Sequence, residues 1–370
     1  MSAEATPLDR VALRRFLSAI PKVELHVHIE GAIQPATLLR LAARRGVDLP
    51  SDTEEGLRSW FRFRDFSEFL EAYLVCCRCL RDPEDFQLLV NDFVAEQARQ
   101  NIRYTEAHFT ISTHTANGAN SGEITEAIRE SIQEGEKSYG SRLRLIPDIV
   151  RNVGVERADE TIEWALDNRA DTVIALGISG KEDHPTEPFR EHFLAARSAG
   201  LHRVAHAGEQ AGPESIREAL EICSPERLGH GVRATEDNEL MTTLAADRIP
   251  LEVCPSSNIQ LGIFDSMNQH PFGEIYRAGL EVSLNSDDPT FFATTLTDEY
   301  ETSLVNFGLD IDELCGVALA AVAQSFLPAD EKARFERRFS QEYNVLAEQL
   351  LDRTLGLEES IGAVGAERTR

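Results

Sequence analysis

The sequence predicts an α/β fold, a (β/α)₈ TIM barrel with a helical insertion after its first strand. Three observations carry that expectation. Short β-rich runs alternate with longer stretches of helical spacing, the pattern of βα units around a parallel sheet. Several runs are apolar almost without a break, as in Val173-Ile174-Ala175-Leu176, which is how strands buried on both faces read. Eight such runs can be placed, enough to close a barrel.

The first run is 23–28, ending in His26-Val27-His28, and the second is 102–109. The gap between them is too long for a plain βα connection, so it carries an insertion, placed at about 35–100. Trp60-Phe61-Arg62-Phe63 and Phe66-Ser67-Glu68-Phe69 lie within it. These rings either pack extra helices onto the barrel or form a lid over its catalytic end. The remaining runs follow at shorter spacing: 143–150, 172–177, 203–207, 227–230, 250–254 and 281–285. No internal repeat or Gly/Ser-rich linker interrupts them. Residues 1–355 are therefore expected to form one domain, with 356–370 a weakly ordered tail.

A chain of 370 residues, 42% hydrophobic and 27% charged, has a globular composition and enough length to bury a large core. Its formal net charge is −26, and only four of its 37 basic residues are lysines. Nucleic acid is not an expected partner, because phosphate neutralisation needs a basic face, and no Lys or Arg cluster stands clear of neighbouring acids. The acidic surface favours solubility and is compatible with a saline cytoplasm. Met1 to Ile20 has arginines but no signal-peptide core, and no run of about 18 apolar residues occurs, so a cytoplasmic protein without a membrane partner is expected. Three of the six cysteines fall in Cys76-Cys77-Arg78-Cys79 inside an apolar helical pattern. They read as buried structural thiols, not as a disulfide framework.

Residues two apart on a strand face the same way, so His26 and His28 project together. Alone, an H-x-H pair is weak. Position strengthens it: His206 closes the fifth run, His230 the sixth, and Asp287-Asp288 follows the eighth, all at the strand ends where barrel enzymes build active sites. Imidazoles with a carboxylate suit Zn²⁺ or another first-row divalent ion better than Mg²⁺ or Ca²⁺. Such an ion lowers the pKa of a bound water toward neutrality, which implies hydrolysis. Glu209, in His206-Ala207-Gly208-Glu209, is placed to act as a general acid, with Gly208 allowing a sharp turn. His230, between Gly229 and Gly231, is placed to orient the water or take its proton.

Together, Pro21 to Gly31 (PKVELHVHIEG), His206-Ala207-Gly208-Glu209, Gly229-His230-Gly231-Val232 and Ser286-Asp287-Asp288-Pro289 resemble the adenosine and adenine deaminases of the amidohydrolase superfamily. The similarity spans about residues 16–325, with the four motifs in order. It implies that His26, His28, His206 and Asp287 hold one Zn²⁺, that Glu209 delivers a proton to purine N1, and that His230 positions the hydroxide attacking C6. It also puts Asp288 at N7 and the backbone of Gly180 at N3, although Lys181 departs from the acidic turn usual after that glycine. Ammonia leaves and a 6-oxopurine remain.

Two departures bear on the substrate. Glu30 stands where adenosine deaminases usually have a sugar-contacting Asp, and Glu is common there in the adenine and aminodeoxyfutalosine branches. His108, in Glu106-Ala107-His108-Phe109-Thr110, replaces the usual Arg and is assigned to a different substituent. Against these, Ala211 to Ser215 and Ser257 to Gly262 look like the bacterial adenosine type. The expected small-molecule partner is a 6-aminopurine nucleoside, adenosine or an adenosine-like compound; free adenine and aminodeoxyfutalosine are the alternatives. A two-metal amidohydrolase acting on amides or phosphoesters also begins with H-x-H, but it needs a lysine on the fourth strand, and Lys181 lies beyond Gly177 and Gly180. A non-catalytic purine-binding barrel would have to keep the whole ligand set and Glu209 without using them.

Overall fold

The apolar runs pair in chain order into one parallel sheet. In the computed structural model, which describes residues 10–169 and 172–357, the strands are β1 Lys22–His28, β2 Ile102–Phe109, β3 Arg142–Val150, β4 Ala175–Ser179, β5 His202–Ala207, β6 Arg227–His230, β7 Leu251–Val253 and β8 Val282–Leu284. Each pairs with the next from β1 to β8. The last edge meets the first at a bridge between Val27 and Asp287, where His28 N–H donates to the Asp287 carbonyl at 2.7 Å and Asp287 N–H to that of His26 at 3.1 Å. Lower down, Asn285 Oδ1 accepts from the N–H groups of Leu25 and His26, at 2.9 and 3.1 Å, in place of a strand carbonyl. The barrel is thus nearly closed by residues of its catalytic end.

Every residue of β1, β4, β6, β7 and β8 is buried, as strands lined by helices outside and side chains inside must be. The fourth strand begins later than the expected 172–177. Thr172 and Val173 N–H groups both donate back to Asn168, ending the preceding helix, and Val173 touches β3 only through an isolated bridge to Leu145.

The insertion after β1 holds helices Pro35–Arg45, Glu54–Trp60, Phe66–Arg78 and Pro83–Arg99. Thr53 and Asp65 cap the second and third, accepting from Gly56 and Glu68 N–H. The aromatic run packs the extra helices onto the barrel and also lines a cavity. Phe61 and Phe69 pack on Phe291 and Phe292 after β8, with ring centroids 4.6 and 5.3 Å apart, while Phe66, Phe69 and Tyr73 wall a cavity at the catalytic end. All six cysteines are free and buried. Among the described residues no helix is long and apolar enough to cross a membrane. Leu355 and Leu357 pack into the core, and residues 358–370 of the expected tail lie outside the described residues.

Candidate active site

The four expected metal ligands converge. His28 Nε2 lies 3.1 Å from His206 Nε2 and 3.4 Å from Asp287 Oδ1, and His26 Nε2 lies 3.7 Å from that same oxygen. Four donors about 2.1 Å from a tetrahedral ion stand about 3.4 Å apart, so the cluster has the dimensions of a Zn²⁺ site. His26 Nε2, fully buried, has no hydrogen-bond partner among the described residues. Outer contacts occupy the opposite ring nitrogens: Glu252 Oε2 lies 2.8 Å from His26 Nδ1, and His206 Nδ1–H donates to the Ile178 carbonyl at 2.9 Å. Each Nε2 lone pair is thereby left facing the centre. Burial, reinforced by the neighbouring imidazoles, holds His26 and His206 well below the usual histidine range, so both rings are neutral, the form that can ligate a metal. Ser257 Oγ–H donates to Asp287 Oδ2 at 2.6 Å and fixes the carboxylate.

Backbone strain accompanies the site. Asp287 and His230 have φ of 63° and 62°, left-handed values costing about 1 kcal/mol or more each for such residues. The seam between β8 and β1 holds the first; the second turns the His230 ring inward, its Nε2 3.9 Å from Asp287 Oδ2.

Glu209 sits beside this cluster because of a turn the sequence makes possible at Gly208, whose φ is 70°. Glu182 clamps that turn, accepting the N–H groups of Gly208, Glu209 and Gln210 at 2.8, 2.9 and 2.9 Å. Burial pushes the Glu209 carboxyl up to about 7, with His230 opposing and Asp287 adding to the rise. Burial, then the adjacent Asp287, pushes Asp288 well above the usual carboxylate range, and its Oδ1 has no partner among the described residues. Two carboxyls whose proton affinity is raised therefore face one cavity, and each can donate a hydrogen bond in its protonated form. That cavity, about 790 Å³ with its mouth, runs from the ligand cluster past Gly180 to the insertion.

Two expected substrate contacts lie elsewhere. His108 pairs in register with His28 across β1 and β2, stacks on it at 4.8 Å, and turns its Nδ1 to Asp148 Oδ1 at 2.9 Å. It is fully buried behind the ligands and is not part of the cavity wall. Glu30 is also behind the wall. Its Oε1 accepts from Thr110 N–H, the Thr110 hydroxyl and His114, at 2.8, 2.7 and 3.0 Å, so it holds Thr110, which does face the cavity. Burial opposes ionisation of Glu30, but the bonds from His114 and Thr110 outweigh it and keep the carboxyl below its ordinary value.

Residues 21–341 match the family described as adenosine deaminase. The chain belongs to the adenosine deaminase family. It is 39% identical over 325 residues to the aminodeoxyfutalosine deaminase of Streptomyces coelicolor, covering 87% of this chain and 84% of that one. It is 34% identical over 330 residues to the adenine deaminase of Vibrio parahaemolyticus, covering 89% and 98%. Among solved structures, an amidohydrolase from Burkholderia ambifaria with bound Zn superposes with a TM-score of 0.85 at 27% identity, covering 95% of this chain and 97% of that one. Membership makes the chain a hydrolytic, metal-dependent deaminase of adenine-type purines.

Within this family frame, Gly31 acquires a reason. A Cβ there would fall 1.7 Å from Asp288 Oδ1, so only glycine lets that carboxyl lie against the turn Glu30–Ala32 that follows β1. Gly31→Ala is expected to displace Asp288 and lower kcat/KM by about a hundredfold with metal content unchanged. Steady-state kinetics with metal analysis measures both, and an unaltered kcat/KM would remove Asp288 from the site. Glu252 carries no motif in the sequence, and the motifs that contain Glu182 and Ser257 do not say what either residue holds. Only their contacts disclose them.

Proposed function

We propose that the chain deaminates a 6-aminopurine nucleoside, adenosine or an adenosine-like compound, with one Zn²⁺ held by His26, His28, His206 and Asp287. The observation carrying this reading is the pair of raised carboxyls, Glu209 and Asp288, facing one cavity beside that cluster. A purine ring offers acceptors at N1 and N7, and protonated carboxyls are the donors that match them. Glu209 gives its proton to N1 as water adds at C6, takes a proton back from the added water and passes it to the 6-amino nitrogen, and the C6 hydroxyl proton returns to Glu209 as the amine departs; His230 orients the attacking oxygen, Asp288 holds N7, and Gly180 meets the N3 edge. Loss of ammonia then leaves the 6-oxopurine. The ion supplies Lewis acidity, which makes water nucleophilic near neutral pH. Lys181, beyond β4, is absent from the cavity wall, so the two-metal alternative lacks its anchor.

A substituent on the purine is favoured by the outer cavity, which Phe66, Leu70, Leu74, Val153 and Leu261 wall with apolar side chains beyond the polar cluster. No Lys or Arg lines the cavity, so a phosphate has no counter-charge there. The 39% identity to an enzyme named aminodeoxyfutalosine deaminase, set beside this apolar mouth, makes that compound the second reading. Adenosine, aminodeoxyfutalosine, adenine and AMP, followed by the ultraviolet change on loss of the 6-amino group, test the proposal. Burying even part of a substituent contributes about 1.4 kcal/mol or more, so a nucleoside is expected to exceed adenine at least about tenfold in kcat/KM. Adenine turned over equally well would overturn the nucleoside assignment.

A further inference from the structure

Beside Glu209 and His230, outside the cavity wall, lie two buried residues. Asn258 is on helix Pro255–Gln260 after β7, and His270 precedes helix Phe272–Arg277. Asn258 Nδ2 is 3.5 Å from Glu209 Oε1 and 3.5 Å from His230 Nδ1; its Oδ1 is 3.1 Å from His270 Nε2. Phe272 N–H, in turn, donates to His270 Nδ1 at 3.2 Å.

The direction of the whole chain follows from its last bond. A backbone N–H can only donate, so His270 Nδ1 carries no proton, and the ring proton sits on Nε2. That Nε2–H donates to Asn258 Oδ1. With its oxygen engaged there, the amide has its NH₂ on the opposite side, aimed at Glu209 and His230. His230 Nδ1, also 3.6 Å from Glu209 Oε1, is placed to accept from that NH₂, which puts the ring proton on Nε2, the nitrogen turned toward Asp287. His270 holds its orientation because its ring is set between Phe264 and Phe307, centroids 5.2 and 5.3 Å away, where burial pushes its pKa down to about 3.

We infer that Asn258 and His270 are a positioning pair for the deamination, fixing the Nε2–H tautomer of His230 and directing an amide donor at Glu209. The inference rests on the roles given above to Glu209 and His230. In this tautomer His230 holds the attacking oxygen by donating to it, and does not take its proton. The Asn258 donor steadies the carboxylate that remains once Glu209 has protonated N1. Contacts of 3.5 Å are at the outer limit of hydrogen bonding, and contacts of this kind shorten when substrate fills a site.

Asn258→Asp keeps the size of the side chain and the oxygen facing His270 but replaces the inner donor by an acceptor. It is expected to lower kcat about 10- to 100-fold, the scale of outer-contact substitutions, while KM moves less than about threefold and zinc content holds. His270→Phe fills the slot without a donor and is expected to lose about tenfold in kcat, whereas His270→Gln, which retains one, recovers most of it. Nitrogen-15 NMR of the wild-type protein labelled at histidine reads the tautomers without any variant; both His230 and His270 are expected to be protonated at Nε2. An unchanged kcat in Asn258→Asp, or a proton on Nδ1 of His230, overturns the inference. Full activity in Glu209→Gln would instead remove the role it rests on and leave the tautomers as measured.

Discussion

Glu209→Gln is expected to lower kcat by about 10² to 10⁴, the range of a lost general acid, in a protein that still folds and binds its metal. The reason is geometric. Glutamine preserves the shape held by Glu182 but has no acidic proton for N1. The same substitution should stabilise the metal-free protein, and the sign is set by the carboxyl. Its pKa is about 7 when folded against the ordinary 4.5 of a free glutamate side chain, so the folded state binds the extra proton, and stability is lost as pH rises from about 4.5 to about 7. That loss is at most about 3 kcal/mol. Thermal midpoints of metal-stripped wild type and variant should therefore nearly coincide at pH 5 and separate at pH 8, the variant being higher. A variant of lower midpoint at pH 8 would contradict the burial argument, and one with undiminished kcat would contradict the role.

Removal of the metal should abolish turnover, and one equivalent of Zn²⁺ per chain should restore it. Chelation followed by titration, with activity and bound metal measured together, reads the stoichiometry directly. Recovery requiring two equivalents would return the two-metal reading. Stability should follow occupancy: an ion present at about a thousand times its dissociation constant adds about 4 kcal/mol, so the stripped protein should melt several degrees earlier. The effect originates in the ligands themselves. Without the ion, three buried imidazoles and Asp287 face one another, with His26 Nε2 unpartnered among the described residues.

The convergence of His26, His28, His206 and Asp287 is legible because a strand's C-terminal end is a place the sequence can mark: alternation gives the strand, and its last polar residues give the cluster. Depth within the barrel is not marked in that way. His108 ends β2 as His28 ends β1, and nothing in Glu106-Ala107-His108 tells that register sets the two rings side by side, or that Asp148 on β3 draws His108 inward. Glu30 likewise reads as a substrate contact until Thr110 and His114 are seen to enclose it. Glu252, Asn258 and His270 act through other residues, and only the folded contacts relate them. The start of the fourth strand escaped for a local reason, since Val173 and Ile174 are as apolar as the strand itself while Thr172 and Val173 still close the preceding helix.

The join between the last strand and the first has a meaning for assembly. Parallel barrels have no free edges once closed, and exposed strand edges invite pairing with other chains. Here the closing bonds run through His26, His28 and Asp287 backbones and the Asn285 side chain. The residues proposed to hold the metal are therefore also part of the clasp of the cylinder. Selection for chemistry and protection from aggregation bear on the same few positions, and a chain that has not yet built its active site still offers two unsatisfied strands to its neighbours.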